Sequence, residues 1–245
     1  MQCVSLFSGC GGLDLGLRNA GFHIIAACDN EVRCAESHGA NFPETKFFLG
    51  SITDFVRELR DENVIDLAEQ VDLLVGGPPC PPYSKSRFYR KDKPRALDDE
   101  VGFETLNGYL DALHILSPRA FLLENVPGFA YKVHREALDH LVVTAEAAGY
   151  TCTWQIVNAA DHGVPQTRER FVLVGTKDGE FAFPEATHAK EPGKHLLSSK
   201  RLRWSTAGEA LADLDTDENA ADDGHFAGGQ FHDLLCEIPP GDNYL

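Results

Sequence analysis

Nothing in the sequence approaches the roughly 18 consecutive apolar residues that a membrane helix needs, so no membrane partner is expected. The opening MQCVSLFSGCGG has neither a basic leading region nor an apolar core, which argues against an export signal. Cysteine pairs of the CxxC type are missing. The seven cysteines are odd in number and scattered, the pattern of free thiols in a reducing compartment, so a cytoplasmic location is expected. His225, His232 and Cys236 are too loosely spaced for a zinc site, and no metal is expected. Positive charge is also scarce: 22 Lys and Arg stand against 38 Asp and Glu, a net charge of −16.

The charges are unevenly placed. Lys85 to Arg95, KSRFYRKDKPR, holds six basic residues against Asp92 alone, whereas Glu209 to Asp223 holds seven acids and no base. The basic stretch follows directly after Cys80, so a solvated loop is a weaker reading than a surface that meets an anionic backbone.

Short β-rich runs alternate with amphipathic helical stretches as far as residue 176. Strands are expected at Cys3–Phe7, Ile24–Cys28, Lys46–Phe48, Val71–Val75, Ala120–Leu123, Thr151–Val157 and Phe171–Gly175. Helices are expected at Leu13–Ala20, Glu31–Gly39, Ile52–Asp61, Leu106–Leu116 and Arg135–Ala148, with a short one within Ser205–Leu214. Such alternation predicts an α/β fold, a doubly wound and mostly parallel seven-stranded sheet covered on both faces. Two long loops, Gly76–Thr105 and Asn158–Arg168, interrupt it, and loops of that length are usually functional. One domain is expected over 1–177 and an extension over 178–245.

Phe7-Ser8-Gly9-Cys10-Gly11-Gly12 follows a strand and opens a helix, where glycines let the backbone approach a ligand. Asp29, twenty residues after Gly9, closes the second strand and suits ribose hydroxyls. The spacing of Gly9, Gly11, Gly12 and Gly16 does not match the dinucleotide fingerprint GxGxxG, which favours a nucleoside ligand without pyrophosphate. A tight turn with no ligand is the bland alternative.

Val71–Val75 runs into Gly76-Gly77-Pro78-Pro79-Cys80-Pro81-Pro82-Tyr83-Ser84. Prolines on both sides keep Cys80 out of helix and ladder and stiffen its backbone. Such placement suits a nucleophile better than a small buried hydrophobe, the reading kept for Cys3, Cys28 and Cys152. The following strand ends in Glu124-Asn125-Val126-Pro127-Gly128, so Glu124 should be partly desolvated at the same sheet edge as Cys80. Gln166-Thr167-Arg168-Glu169-Arg170 opens the last strand. In an extended run Arg168 and Arg170 share a face, able to hold a phosphate or a base carbonyl, or simply to pair with Glu169.

In order along the chain, LFSGCGGLDLG, CDNE, GSIT, GGPPCPPYS, LLENVPGF and PQTRERFVLVG resemble the motifs of the cytosine-C5 DNA methyltransferase family. The resemblance is close over residues 3–176 and looser to 245. It implies the Rossmann-like fold of class I AdoMet methyltransferases, with S-adenosyl-L-methionine as methyl donor, S-adenosyl-L-homocysteine as product and duplex DNA as partner in a bacterial or archaeal cytosol. Carried over by position, Cys80 attacks C6 of cytosine. Glu124 bonds the protonated N3 and exocyclic amine, and Arg168 and Arg170 orient the base. Base flipping to a buried thiol is implied. On the cofactor side, the resemblance assigns Phe7 to stacking on adenine with Gly9, Gly11 and Gly12 nearby. It gives Asp29 to ribose, Asn30, Ser51 and Ile52 to the adenine end, and Pro79 to the methionine end.

Some positions depart from the family pattern. Ser51 stands where an aspartate commonly receives the adenine amino group, Pro81 replaces a glutamine and Tyr83 a phenylalanine. The target-recognition region and the last two motifs are not seen, and IPPGDNYL resembles the lead into that region. A split enzyme with a second subunit is therefore expected. An AdoMet-binding regulatory module and an RNA cytosine methyltransferase remain alternatives, and Ser84 leans toward DNA.

Overall fold

The structure, a computed structural model, describes residues 1–61, 71–84, 94–193 and 200–214. Most of the basic stretch at 85–95, the end of the chain from 215 and the residues His225, His232 and Cys236 lie outside the described residues. The chain forms two compact units, one of Met1–Val157 with Glu169–Pro184 and one of Asn158–Arg168 with Glu185–Leu245.

The first unit is built on a seven-stranded sheet. Its strands are β1 (Gln2–Leu6), β2 (His23–Asp29), β3 (Lys46–Leu49), β4 (Leu73–Gly76), β5 (Ala120–Asn125), β6 (Thr151–Asn158) and β7 (Glu169–Thr176). They lie in the order β3-β2-β1-β4-β5-β7-β6. Neighbours from β3 to β5 pair in parallel, and β7 runs antiparallel to β5. The doubly wound, mostly parallel sheet is thus observed. Helices α1 (Gly12–Asn19), α2 (Val32–Asn41), α3 (Ile52–Arg60), α4 (Glu100–Leu116) and α5 (Arg135–Ala147) connect the strands.

The near-continuous apolar runs of the central strands have a physical cause: both sheet faces are covered. Successive residues point to opposite faces, and the core divides accordingly. Leu74, Phe121 and Leu123 pack with Ile52, Phe55, Leu106, Tyr109 and Leu138 from α3, α4 and α5. Leu73 and Val75 pack with Cys3, Ile24, Phe42 and the half-buried Leu17 and Leu122 on the other face. Burying one such side chain contributes about 1.5–3 kcal/mol.

Helix α4 begins six residues before the sequence suggests. Asp99 caps it by accepting a hydrogen bond from Gly102 N (3.1 Å), and a side chain at Gly102 would overlap the Ala96 carbonyl. Residues 76–105 are therefore not one open loop. They include short 3-10 turns at Pro81–Tyr83 and Ala96–Asp98.

In the second unit, β8 (His188–Ala189) pairs in parallel with β9 (Leu202–Arg203), and Trp204 Nε1 donates to Asp161 Oδ1 (2.9 Å). Helix α6 (Ala207–Leu211) lies within the expected 205–214, and a Thr206–Glu209 capping box fixes its start. Among the described residues, no helix is long and apolar enough to cross a membrane.

Candidate active site

The strand order reverses between β1 and β4, which opens a crevice at their carboxyl ends, where α/β sheets bind ligands. The loop after β1 fills this edge with unusual backbone. Phe7 takes a positive φ of 54°, an outlier for a bulky residue that costs on the order of 1–2 kcal/mol. Gly9 (φ 55°) and Gly11 (φ 87°) follow, and Gly11 starts α1. A side chain on Gly11 would overlap Phe42, whereas Gly9 and Gly12 face open space. Only Gly11 is thus demanded by packing within the protein.

Beneath the loop lies a fully buried polar network that the sequence did not reveal. Ser5 Oγ donates to Asp14 Oδ1 (2.6 Å), and His38 Nε2 meets Asp14 Oδ2 at 2.9 Å. It ties β1, α1 and α2 together, the elements that bracket the glycine loop. A buried carboxylate is tolerable only with such partners.

Asp29 performs a related task. Its Oδ2 accepts from Gly9 N (2.9 Å) and its Oδ1 from Glu31 N (3.0 Å), so it clamps the glycine loop to the end of β2. Both carboxylate oxygens already serve the protein, and any ribose bond is an additional one.

A cavity of about 350 Å³ occupies the crevice, within the range that holds small ligands. Phe7, Asp29, Asn30, Ser51, Ile52 and Pro79 line it, six of the expected cofactor residues, whereas Gly9, Gly11 and Gly12 do not. Val101, Glu104 and Thr105 from α4 complete the wall. These three were missed because their stretch reads as loop; the cap at Asp99 was the available signal. Ser51 is differently engaged from expectation. As N-cap of α3 it accepts from Asp54 N (3.1 Å) and donates to Asp54 Oδ2 (2.7 Å), so its hydroxyl hydrogen is committed. The Ser51 hydroxyl in turn holds the Asp54 carboxyl below its ordinary pKa.

Cys80 follows β4 in a helical-region conformation, and its carbonyl accepts from Tyr83 N (2.9 Å) to close the 3-10 turn. The thiol is exposed, not buried as base flipping to a recessed nucleophile suggested. In contrast, Cys3, Cys28 and Cys152 sit in strands where burial raises their thiol pKa, to about 12 for Cys28 and about 11 for Cys152. A thiolate is the nucleophile, so these three are disfavoured.

The turn beyond Cys80 is anchored firmly. Tyr83 is buried against Phe129 (ring centroids 4.6 Å apart) and edge-on to His134. His134 Nδ1 donates to the Gly128 carbonyl (2.7 Å), and burial lowers its pKa, which favours the neutral ring. A side chain on Gly128 would overlap the Tyr83 carbonyl. Asn125, also fully buried, was overlooked in the sequence. Its Nδ2 donates to Pro78 O (3.1 Å) and its Oδ1 accepts from Val126 N (2.8 Å), which binds the Cys80 loop to the end of β5.

Glu124 is the next residue back on β5. Its Oε1 meets Arg170 Nε at 2.8 Å, with side-chain exposures of 29% and 25% respectively, so the pair is sheltered yet open to a substrate. A Cβ on Gly77 would stand 3.0 Å from Glu124 Oε2, which explains glycine there. Parallel pairing of Gly76 with Leu123 brings these groups together. Arg168 belongs to the second unit, one residue before β7 begins. Its N–H donates to Asn158 Oδ1 (3.1 Å) and its carbonyl accepts from Ala159 N.

Residues 1–232 match the family model described as C-5 cytosine-specific DNA methylase. The chain belongs to this family. It is 34% identical to the Type II methyltransferase M.SacI of Streptomyces achromogenes over 100% of this chain and 65% of that protein. It is 33% identical to M.NgoPII of Neisseria gonorrhoeae over 96% and 66%, and 34% identical to M.AquIA of Picosynechococcus over 87% and 88%. The chain thus spans about two-thirds of the first two relatives. Among solved structures, a DNA modification methyltransferase encoded within an E. coli prophage superposes with a TM-score of 0.63 at 22% identity, covering 86% of this chain and 54% of that one. Spodoptera frugiperda DNMT2 gives 0.55 at 24%, covering 75% and 52%. At these identities the likeness speaks for the fold. C5 methyltransferases of this family use AdoMet as methyl donor.

Proposed function

We propose that this chain methylates C5 of cytosine in DNA, with Cys80 as covalent nucleophile. The observation that carries this reading is the arrangement at one sheet edge: the exposed Cys80 loop tied through Asn125 to β5, whose Glu124 pairs with Arg170 on β7.

The chemistry follows from the ring. C5 of a neutral pyrimidine is a poor nucleophile, so covalent addition must first activate it. The Cys80 thiolate attacks C6, the C5=C6 electron pair moves toward C5 and the ring, and the Glu124 carboxyl gives its proton to N3. Glu124 accepts hydrogen bonds from protonated N3 and the exocyclic amine and offsets the developing charge. Arg170 orients that carboxylate through its Nε contact, and Arg168 is read as a base-orienting residue from its place in the family motif. After methylation at C5, a solvent base takes the C5 proton, the C5=C6 bond re-forms as the C6–S bond breaks, N3 returns its proton to Glu124, and Cys80 leaves as thiolate. The base must leave the duplex stack to reach this edge.

AdoMet, when bound, supplies an electrophilic methyl group carried on a sulfonium. The cavity residues fit it: Phe7 and Ile52 offer apolar surface for adenine, Asp29 a carboxylate for ribose, and Pro79 leads from the cavity to Cys80.

Target recognition is assigned to a separate polypeptide. Support comes from the shortage of positive charge for phosphate contacts. The test is incorporation of tritiated methyl from AdoMet into duplex DNA. The chain alone should give background and should turn over when a polypeptide with the recognition region and the last two family motifs is added. Site-specific methylation by residues 1–245 unaided would overturn the two-subunit reading. No incorporation with the complementing polypeptide present would overturn the activity.

A further inference from the structure

The glycine loop carries a second exposed thiol, which the proposed chemistry does not use. Cys10 stands between Gly9 and Gly11, and Cys34 is half-buried in the first turn of α2. On α2, residues 34, 38 and 41 recur at helical spacing and share a face, and two of them demonstrably meet the loop. The His38 ring edge lies 3.2 Å from where a Cβ on Gly11 would stand, and Asn41 Nδ2 donates to the Cys10 carbonyl (3.4 Å). Cys34 is one turn back from His38, toward the point where Asp29 holds Gly9 N. Cys10 stands between Gly9, bonded to Asp29 just ahead of α2, and Gly11, which packs on His38, so the loop crosses the turn of α2 that holds Cys34.

We propose that Cys10 and Cys34 form a reversible disulfide in the presence of hydrogen peroxide, which locks the glycine loop to α2 and lowers AdoMet affinity. The exposed Cys10 thiolate attacks a peroxide oxygen, giving a sulfenic acid and hydroxide. The Cys34 sulfur then attacks the Cys10 sulfur; the S–S bond forms and the oxygen leaves as water. In sum, two thiols lose two electrons and two protons, and one hydrogen peroxide becomes two waters. A disulfide needs Cα atoms within about 7 Å. A Cβ at Gly9 or Gly12 would meet nothing within 4 Å, so no neighbouring side chain crowds the loop on either side of Cys10. The lock acts on the cavity because Phe7 and Asp29 line it and Asp29 is bonded to this loop.

The effect on affinity rests on the cofactor reading above, whereas the cross-link itself does not. The experiment treats the full chain with hydrogen peroxide, maps disulfides by non-reducing peptide mass spectrometry, and measures AdoMet binding by calorimetry before oxidation, after it, and after dithiothreitol. A Cys10–Cys34 peptide should appear, with affinity reduced on the order of tenfold, a usual strength for coupled sites, and restored by reduction. Cys34→Ser should bind AdoMet as wild type does and keep its affinity through oxidation. Absence of the Cys10–Cys34 peptide, or an equal loss in Cys34→Ser, would overturn the proposal. Failure of the reduced wild type to bind AdoMet would instead count against the cofactor reading, with the mapped peptide still deciding the thiol pair.

Discussion

Asn125→Ala isolates the tie between the Cys80 loop and the end of β5. The wild-type amide makes two bonds, to Pro78 O and from Val126 N, in a buried setting. Alanine removes both partners at once and leaves a buried carbonyl and an N–H unsatisfied, each costing about 1–3 kcal/mol. Either the chain keeps its geometry and loses roughly 2–6 kcal/mol of stability, or the Cys80 loop separates from β5 to reach water. The first outcome lowers the melting temperature by about 2–4 °C per kcal/mol for a chain of this size. The second spares stability and lowers the rate of methyl transfer. Thermal unfolding and single-turnover methylation, measured on the same preparation, separate the two. Asn125→Asp keeps the acceptor for Val126 N but sets a carboxylate against the Pro78 carbonyl, and should be no better than alanine. A variant with unchanged melting temperature and unchanged single-turnover rate would refute the assignment of Asn125 as a positioning residue.

Further outcomes follow from the same geometry. Asp29→Ala should weaken AdoMet binding by the equivalent of one charge-assisted hydrogen bond, about 1.5–3 kcal/mol or roughly ten- to hundredfold; a neutral result by calorimetry would remove Asp29 from the site. Gly77→Ala brings a methyl to within 3.0 Å of Glu124 Oε2. It should lower single-turnover methylation by up to about a hundredfold, the cost of a displacement near 1 Å, without unfolding the protein as judged by circular dichroism. Ser51→Ala removes the cap of α3 and should cost about 1 kcal/mol in urea unfolding. Ser51→Asp keeps a capping oxygen but faces Asp54, so any gain in AdoMet affinity should come with lower stability.

Much of this was legible beforehand, for a physical reason. Strands such as LLVG and AFLLEN are apolar runs ended by glycine, proline or a polar residue, and their alternation with helices fixes a doubly wound sheet. Cys80 and Glu124 could be placed together because each closes a neighbouring parallel strand. What stayed hidden depends on contacts distant in sequence. Asp14 and His38, 24 residues apart, look like ordinary helix-surface residues until the fold buries them together. Asn125 reads as part of a motif, but its reach of 47 residues to Pro78 is invisible. Ser51 looked free to meet a ligand because nothing in GSIT shows that Asp54 takes its hydroxyl. Arg168 and Arg170 read as one extended pair, yet β7 starts between them, at Glu169.

The central claim is that Cys80 adds covalently to cytosine, and fluorine at C5 tests it most directly, because that atom cannot leave as a proton does. Duplex DNA with 5-fluorocytosine at the target should be trapped as a denaturation-resistant adduct when AdoMet and the complementing polypeptide are present. Peptide mapping should place the link on Cys80, and Cys80→Ala should give none. An adduct through another cysteine, or methyl transfer persisting in Cys80→Ala, would contradict the account.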